Sequence, residues 1–298
     1  MKVLVTGKEG QLVQSLMERA AAVGGVEIVA AGRPEADLEA PGAIGRAIEQ
    51  AAPDVVINAA AYTAVDRAED EPDRAFRINA AAAGEAAEAA RAAGAPIIQV
   101  STDYVFDGRS GAPYFEGMST GPIGAYGRSK LAGEERVQGA TPDHLILRTA
   151  WVYSQFGGNF VKTMMAVAER NPVVKVVADQ QGNPSSALDL ADGILSILRR
   201  WRGGDRTGLG GIYHLAGSGD TNWAEFAQGI FDECRALGLP AAEVAPIATS
   251  EWPTRAARPA NSRLDCSKFA MDFNYRMPEW RQSVRDIVRR LAARTAQG

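Results

Sequence analysis

The sequence predicts an α/β fold in which a doubly wound parallel sheet carries a second, smaller lobe of mixed α/β structure. Two observations lead to this prediction. In the first half of the chain, short apolar runs alternate with amphipathic or Ala-rich segments, a pattern typical of parallel strands covered by helices on both faces. In the second half, shorter and less regular pieces are separated by connections rich in Pro and Gly.

The first half contains five predicted strands with helices between them. The strands are expected at residues 2–6, 27–31, 54–59, 96–101 and 145–149. Helices are expected from residue 10 to about 23, at 43–52, from 72 to about 93, and around residues 126–130. Ala favours helix strongly and Pro is tolerated in a first turn, so composition supports the helix that begins at Pro72.

The second half is predicted to form most of the smaller lobe. Strands are expected at residues 173–177 and 211–216, and helices at 159–170, 187–202, 223–236 and 279–293. We place the boundary near residue 155, which gives domains 1–155 and 156–298. Because the pattern is mixed, we expect the chain to cross between the lobes more than once.

Composition excludes several classes of protein. The chain of 298 residues has a net charge of −4, which gives no reason to expect nucleic acid or an anionic membrane as a partner. Its longest apolar runs have the length of strands, so no membrane span is predicted. Two Cys and two His residues make no metal or disulfide spacing, and we expect a cytoplasmic protein without a metal site.

The segment after the first strand has the pattern of a dinucleotide-binding loop. Gly7 and Gly10 follow a predicted strand and open a predicted helix, where backbone N–H groups and the positive end of the helix dipole favour a pyrophosphate. Val13 stands where a third glycine is usual. The context indicates a Rossmann-like domain, and the alternative is a glycine turn without a ligand.

The end of the second predicted strand bears on the choice of nicotinamide cofactor. An acidic residue at this place would bind the ribose 2′-hydroxyl of NAD, but the strand ends in Ala31, Gly32 and Arg33. Arg33 suits the 2′-phosphate of NADP, because its guanidinium is a charged fork of donors. The alternative is an arginine exposed to solvent.

A stretch in the middle of the chain carries the residues for proton transfer. Tyr126 and Lys130 are four residues apart and share one face of a predicted helix, and a nearby ammonium is expected to lower the pKa of the phenol. Thr102 follows a predicted strand, at the edge of the sheet where α/β proteins bind ligands. These three residues are the predicted catalytic set, although a solvated helix face is the alternative for the Tyr–Lys pair.

Eight ordered motifs resemble the dTDP-4-dehydrorhamnose reductase family, within the extended short-chain dehydrogenase/reductase superfamily. The motifs run from residue 2 to about 280 and lie at residues 10–11, 58–69, 101–106, 126–134, 148–153, 157–164, 179–184 and 258–264. The chain departs from the family pattern at Val13 and at Gly158, where a second Asn is frequent.

This resemblance implies a role for each matching residue. It implies a cofactor site formed by Gly7, Gly10, Gln11, Leu12, Arg33, Asp37, Leu38, Ala61, Tyr62, Thr63, Val100, Tyr126 and Lys130. Tyr126 would donate a proton, and Lys130 would bind the nicotinamide ribose. The substrate would contact Thr102, Asp103, Trp151, Asn159 and Arg258.

Four of these assignments have structural alternatives. Trp151 ends an apolar run and could belong to the core, whereas Asp103 could cap a turn. Asn159 could simply begin a helix as its N-cap. Arg258 could be a surface residue, although arginine near a Pro-bounded loop also suits a diphosphate.

The resemblance implies NADPH-dependent reduction of the C4 keto group of a dTDP-sugar, dTDP-4-dehydro-β-L-rhamnose. NADH stays an alternative cofactor, and some relatives are Mg²⁺-dependent homodimers, although no acidic cluster is evident here.

Two other functions are considered. The nearest rival is a 4,6-dehydratase or epimerase of the superfamily. A dehydratase would need a base for the C5 proton that Tyr104 does not supply, because dehydratases carry Glu there. A non-catalytic NADP-binding regulatory subunit would not need the intact Thr102, Tyr126 and Lys130.

Overall fold

The computed structural model describes residues 1–295 and has a parallel sheet at its centre. Strands are numbered in chain order: β1 (Lys2–Thr6), β2 (Glu27–Ala31), β3 (Val55–Asn58), β4 (Ile97–Thr102), β5 (His144–Thr149), β6 (Val152–Tyr153), β7 (Val173–Val177), β8 (Gln181–Gly182), β9 (Ser185–Ser186), β10 (Gly211–His214), β11 (Thr221–Asn222) and β12 (Glu243–Ile247). Six of them form the central sheet in the order β2-β1-β3-β4-β5-β10, with every neighbouring pair parallel.

Helices connect these strands and cover them. They are α1 (Gln11–Val23), α2 (Ala43–Ala51), α3 (Val65–Ala68), α4 (Pro72–Phe76), α5 (Ala82–Ala92), α6 (Ala125–Ala140), α7 (Phe160–Ala168), α8 (Ala187–Arg202), α9 (Trp223–Ala236), α10 (Ser267–Phe273) and α11 (Trp280–Thr295). None of the helices in the part of the chain that the structure describes is long and apolar enough to cross a bilayer.

Both faces of the central sheet are buried, which explains why its strands are apolar almost throughout. On one face, β1 and β5 pack against α1 and α8 around buried residues such as Leu16 and Ile194. On the other face, α2, α5 and α6 cover the same strands. Several small side chains of α5, among them Ala83 and Ala87, are fully buried. The predicted doubly wound parallel sheet is therefore confirmed.

The second lobe has its own apolar core. Helices α7, α9 and α11 enclose Phe226, Phe231 and Trp280 beside the parallel pair β7–β12. The chain returns from this half to the central sheet, because α8 covers the sheet and β10 is its edge strand. The expected boundary near residue 155 stays a prediction, since residues on both sides of it contribute to the sheet.

The structure differs from the prediction in one long helix and in several short elements. The expected helix over residues 72–93 is interrupted by a π-helical segment, Arg77–Ala81, between α4 and α5. Short elements such as α3, β6, β8 and β12 are not predicted, because two to five residues are too few to show a period.

Candidate active site

A cleft of about 990 Å³ opens at the carboxyl ends of β1, β3, β4 and β5. The strand order reverses here: β1 pairs with β2 on one side and with β3 on the other. Such a switch point is where open α/β sheets bind their ligands. The cleft runs from the loop after β1, past the catalytic candidates, to two tryptophans of the second lobe.

The loop between β1 and α1 provides a cradle for phosphate. Gly7 has φ +97°, a left-handed conformation that favours glycine. Gly10 is the N-cap of α1 and makes no side-chain capping bond, so no side chain covers the first N–H groups of the helix. Gln11 and Leu12 follow on the cleft wall. This combination of bare glycines and a helix N-terminus fits a dinucleotide pyrophosphate.

Two basic residues lie at one end of the cleft, one inside this loop and one after β2. Arg33 is exposed and lines the cleft. Lys8 lies next to it, and its Nζ donates a hydrogen bond of 3.2 Å to the Arg33 carbonyl oxygen and pairs with Glu35 at 2.7 Å. Asp37 and Leu38 line the same end. Two neighbouring basic residues at this end of the cleft suit a phosphate group on the cofactor's adenosine.

The loop after β3 forms the next part of the wall. Ala61, Tyr62 and Thr63 line the cleft there. Buried Asn79 holds this loop, because its Oδ1 accepts from the Tyr62 N–H at 2.8 Å and its Nδ2 donates to the Tyr62 carbonyl oxygen at 3.1 Å. Asn79 lies in the π-helical segment. Such segments occur frequently at functional sites, and this one directs a polar side chain out of an Ala-rich helix.

Thr102, Tyr126 and Lys130 meet at the cleft, as their positions predict. Tyr126 and Lys130 project from α6 toward the end of β4. The Lys130 Nζ donates a hydrogen bond of 2.7 Å to the Val100 carbonyl oxygen. The Thr102 hydroxyl donates to Asp103 Oδ1 at 2.8 Å and accepts from the Tyr104 N–H at 3.2 Å. A phenol, a hydroxyl and an ammonium are thus assembled around one part of the cleft.

The expected lowering of the Tyr126 pKa by Lys130 is wrong for this arrangement. Burial raises the pKa of Tyr126 to about 12, the Thr102 hydroxyl opposes this rise through a hydrogen bond, and the Asp103 carboxylate adds to it. Lys130 is not among the causes of this shift, and its ammonium donates to the Val100 carbonyl oxygen. The phenol therefore keeps its proton at neutral pH.

The burial of Lys130 and Asp103 also shifts their titration. Burial lowers the pKa of Lys130 to about 8, although the nearby Glu134 carboxylate raises it. Burial raises the pKa of Asp103 to about 6, against the effect of the Thr102 hydroxyl. Asp103 is 2% exposed, and within residues 1–295 its Oδ2 has no hydrogen-bond partner. Perturbed groups gathered in one cleft are typical of catalytic sites.

Trp151 and Trp223 close the cleft on the side of the second lobe. Their rings are stacked, with centroids 3.6 Å apart and planes 10° from parallel. Trp151 has φ +46°, unusual for a bulky residue, and its Nε1 donates to Ser262 Oγ at 3.2 Å. Half-buried Trp151 thus lies in the cleft wall as well as against the aromatic core.

Asn159 and Arg258 do not line the cleft. Asn159 caps α7 by accepting from the Lys162 N–H, and its Nδ2 donates to Gln11 Oε1 at 3.0 Å. Arg258 Nη2 donates to Asp66 Oδ2 at 2.7 Å. Its buried Nη1 has no hydrogen-bond partner in the described part of the chain. Substrate contact by these two residues stays a prediction.

Sequence reasoning does not find three of the side chains that build the site. Lys8 stands inside the glycine loop, Asn79 is a polar residue in an Ala-rich segment, and Trp223 follows the N-cap Asn222. Of the three, only Asn79 has a signal in the sequence, because a single polar residue among alanines suggests a buried hydrogen-bonding role. The other two depend on how the loops fold together.

Among residues 1–295, the structure has no group of three or more His, Cys, Asp or Glu side chains that could hold a metal ion. The Mg²⁺ that the family resemblance implies stays an expectation.

Comparisons with known proteins agree over the whole length. Residues 1–293 match the family model described as RmlD substrate binding domain. A dTDP-4-dehydrorhamnose reductase of Sinorhizobium fredii is 47% identical over 97% of each chain. The crystal structure of one from Clostridium acetobutylicum has a TM-score of 0.88 and 36% identity, covering 98% of this chain and 100% of that one. One from Bacillus anthracis, solved in complex with NADP, has a TM-score of 0.89 and 33% identity, covering 97% and 99%.

A full-length family match, these identities and the shared fold agree with the eight ordered motifs: the chain belongs to the dTDP-4-dehydrorhamnose reductase family.

Proposed function

We propose that this protein reduces the C4 keto group of dTDP-4-dehydro-β-L-rhamnose to give dTDP-β-L-rhamnose, with NADPH as the reductant. The observation that carries the proposal is the meeting of Thr102, Tyr126 and Lys130 in a cleft that continues to the glycine cradle of α1. The names of the relatives supply the substrate, and the NADP in the Bacillus anthracis structure supports the cofactor.

The cofactor would lie along the cleft from the basic end to Lys130. Gly7, Gly10, Gln11 and Leu12 would hold its pyrophosphate, while Asp37, Leu38, Ala61, Tyr62 and Thr63 line the wall beside it. Arg33 and Lys8 would bind the 2′-phosphate that distinguishes NADPH from NADH. When bound, the nicotinamide supplies the hydride for the C4 carbon. The protein's task is to orient the reactants and to move the proton.

Tyr126 is the proton donor in this proposal. Because burial keeps its phenol protonated at neutral pH, it can give its proton to the C4 oxygen as that oxygen gains negative charge. The O–H bond of the phenol breaks, a new O–H bond forms on the sugar, and Tyr126 is left as a phenolate. The Thr102 hydroxyl would stabilise that phenolate, because a hydrogen bond to the charged form favours it.

The substrate would occupy the part of the cleft between Asp103 and the tryptophans. Thr102 and Asp103 would contact the sugar near its keto group, and Trp151 would pack on it. Arg258 has a buried nitrogen without a partner among the described residues, which suits an anionic group such as a diphosphate. Asn159 would act through Gln11, to which it is hydrogen bonded, and thus support the cofactor side as well.

Dehydration by this site finds less support. The residue after Asp103 is Tyr104, whose ring lies edge-on to Tyr126 with centroids 5.6 Å apart. Burial raises the pKa of Tyr104 well above that of a free phenol, so at neutral pH it is no base for a C5 proton. A homodimer and a cytoplasmic location are further expectations, and they are independent of this chemistry.

The test is to mix the purified protein with NADPH and an enzymatically made dTDP-4-dehydro-6-deoxy sugar, and to follow the absorbance of the reduced cofactor. We expect oxidation only when the 3,5-epimerase is added, because that enzyme makes the L-rhamno substrate. Oxidation without the epimerase would indicate reduction of a different keto sugar. Binding of NADPH without any oxidation would instead favour a regulatory subunit.

A further inference from the structure

A buried ion pair lies directly behind the catalytic candidates. Arg148 donates to Glu134 through Nη2 at 2.6 Å and through Nε at 2.9 Å. The Ser101 hydroxyl donates to the same carboxylate at 2.5 Å. The Glu134 and Arg148 side chains are 2% and 3% exposed, so solvent screens this network very little.

The network joins the two elements that carry the catalytic side chains. Glu134 follows Lys130 by one turn of α6, and Ser101 stands in β4 between Val100 and Thr102. Val100 provides the carbonyl oxygen that Lys130 binds. Lys130 and Glu134 therefore bind neighbouring residues of β4 from one face of one helix.

Stability alone explains such a pair poorly. Replacing a buried ion pair by apolar residues of similar size is often neutral or stabilising, because removing both charges from water is costly. Here the pairing is also incomplete, since the buried Arg148 Nη1 has no hydrogen-bond partner among residues 1–295. A role at the adjacent site gives a reason for the arrangement.

The charged surroundings of Lys130 show what that role is. Burial lowers the pKa of Lys130, and Glu134 is the charged group that raises it. Tyr126 on the same helix is neutral at pH 7. Asp103, in the turn after β4, and Arg148, in β5, do not contribute to the shift. Without the Glu134 carboxylate, burial would lower the pKa of Lys130 further.

We propose that Glu134 is a positioning residue for Lys130: its buried carboxylate supplies the negative charge that keeps the Lys130 ammonium charged inside the fold, while Arg148 and Ser101 hold that carboxylate between α6 and β4. This inference deepens the proposed function, because it takes Lys130 as the residue that binds the nicotinamide ribose.

NADPH affinity as a function of pH tests the proposal without any sugar substrate. The fluorescence of bound NADPH gives Kd from about pH 6.5 to about pH 9.5. We expect the affinity of the wild type to weaken as Lys130 loses its proton near pH 8. In Glu134→Gln, the midpoint of the pH profile should move to lower pH. If it falls by about one pH unit, the variant should bind NADPH about tenfold more weakly than the wild type at any pH above both midpoints. Glu135→Gln, an exposed change on the same helix, should leave the profile unchanged.

A double variant separates this electrostatic role from simple packing. Glu134→Gln with Arg148→Met removes both charges and restores a balanced interior, so a purely structural defect should be relieved. The proposal predicts that the shifted midpoint persists in the double variant. A folded single or double variant with the midpoint of the wild type would overturn it. Failure of the proposed reduction is recognised separately, because binding of NADPH is measured without the keto sugar.

Discussion

Gly182 lies so close to the indole of Trp151 that a Cβ atom on it would be 2.4 Å from the ring carbon Cε2. The absence of a side chain at residue 182 is what lets the ring lie where it does. Trp151 has a left-handed backbone conformation at φ +46°, and its other contacts are the stacked ring of Trp223 and the Ser262 hydroxyl. Backbone strain of this kind persists only where the surroundings enforce it, and it is frequent at functional sites.

Gly182→Ala should therefore displace Trp151 and weaken the binding of the keto sugar. An aromatic contact contributes about 1 kcal/mol beyond its area, so we expect KM for the sugar to rise at least about fivefold. The Kd of NADPH should change little, because Gly182 does not line the cleft and the glycine cradle lies in the loop after β1. Steady-state kinetics gives KM for the sugar, and the fluorescence of bound NADPH gives its Kd.

The matched control for this change is Gly139→Ala. Gly139 is exposed near the end of α6, and a Cβ there would meet nothing within 4 Å. Its kinetics should match those of the wild type. An unchanged KM for the sugar in Gly182→Ala would show that the position of the Trp151 ring does not matter for substrate binding.

Local signals were sufficient for most of the central sheet. The strands Lys2–Thr6 and Glu27–Ala31 have the predicted bounds, because runs of β-branched and small apolar residues flanked by Gly or Pro leave few alternatives. The cleft was also predictable, since it follows from the glycine loop and from the ends of parallel strands. The edge strand Gly211–His214 was expected as a strand, but its return to this sheet depends on long-range packing.

The parts of the site that sequence reasoning missed depend on tertiary contacts. Trp223 reaches Trp151 only because the two lobes pack together, and no local period reveals that contact. The direction of the Tyr126 pKa shift was wrong for the same reason. The Tyr–Lys spacing predicts a shared helix face, but the depth of burial decides the direction of the pKa shift.

Tyr126→Phe tests the proton donor. Removing the hydroxyl leaves the ring but no acid for the C4 oxygen, and general acid catalysis contributes about 10²–10⁴-fold. We expect kcat to fall by that order, with NADPH still bound. Tyr104→Phe removes a phenol from the neighbouring ring and should cost much less. Equal losses in the two variants would contradict the assignment of Tyr126 as the donor.

Arg33→Ala and Lys8→Ala test the choice of cofactor. If their charges bind the 2′-phosphate, each variant loses a charge-assisted interaction of about 1.5–3 kcal/mol, which raises KM for NADPH at least about tenfold. KM for NADH should stay within about twofold, because NADH lacks that phosphate. Arg170→Ala, an exposed arginine of the second lobe, is the control. An equal effect on both cofactors would assign these residues to another part of the nucleotide.

Asp103→Asn tests whether the buried carboxyl lowers stability at neutral pH. Its pKa is raised from 3.8 to about 6, so between these values the folded protein binds more protons than the unfolded chain. Stability from this group is therefore present at low pH and is lost as pH rises toward about 6. The full loss is at most roughly 3 kcal/mol, from a shift of about two pKa units. Asn should avoid that loss and keep an acceptor for the Thr102 hydroxyl.

The quantity to compare is the stability gained by Asp103→Asn over the wild type, measured at two pH values. The titration of all other groups is common to both proteins and cancels in this comparison. Thermal unfolding of the wild type and of Asp103→Asn at about pH 4.5 and about pH 8 gives the gain in stability at each pH. The gain should be larger at the higher pH, where the wild-type carboxylate is charged inside the protein. An equal gain at both values would mean that Asp103 titrates normally and that its isolated Oδ2 is no energetic burden. Turnover should fall in the same variant, because a neutral amide accepts the Thr102 hydrogen bond more weakly than a carboxylate and so holds that hydroxyl less firmly next to Tyr126. A gain in stability accompanied by a loss of activity would identify this carboxyl as one that the fold tolerates for the sake of the reaction.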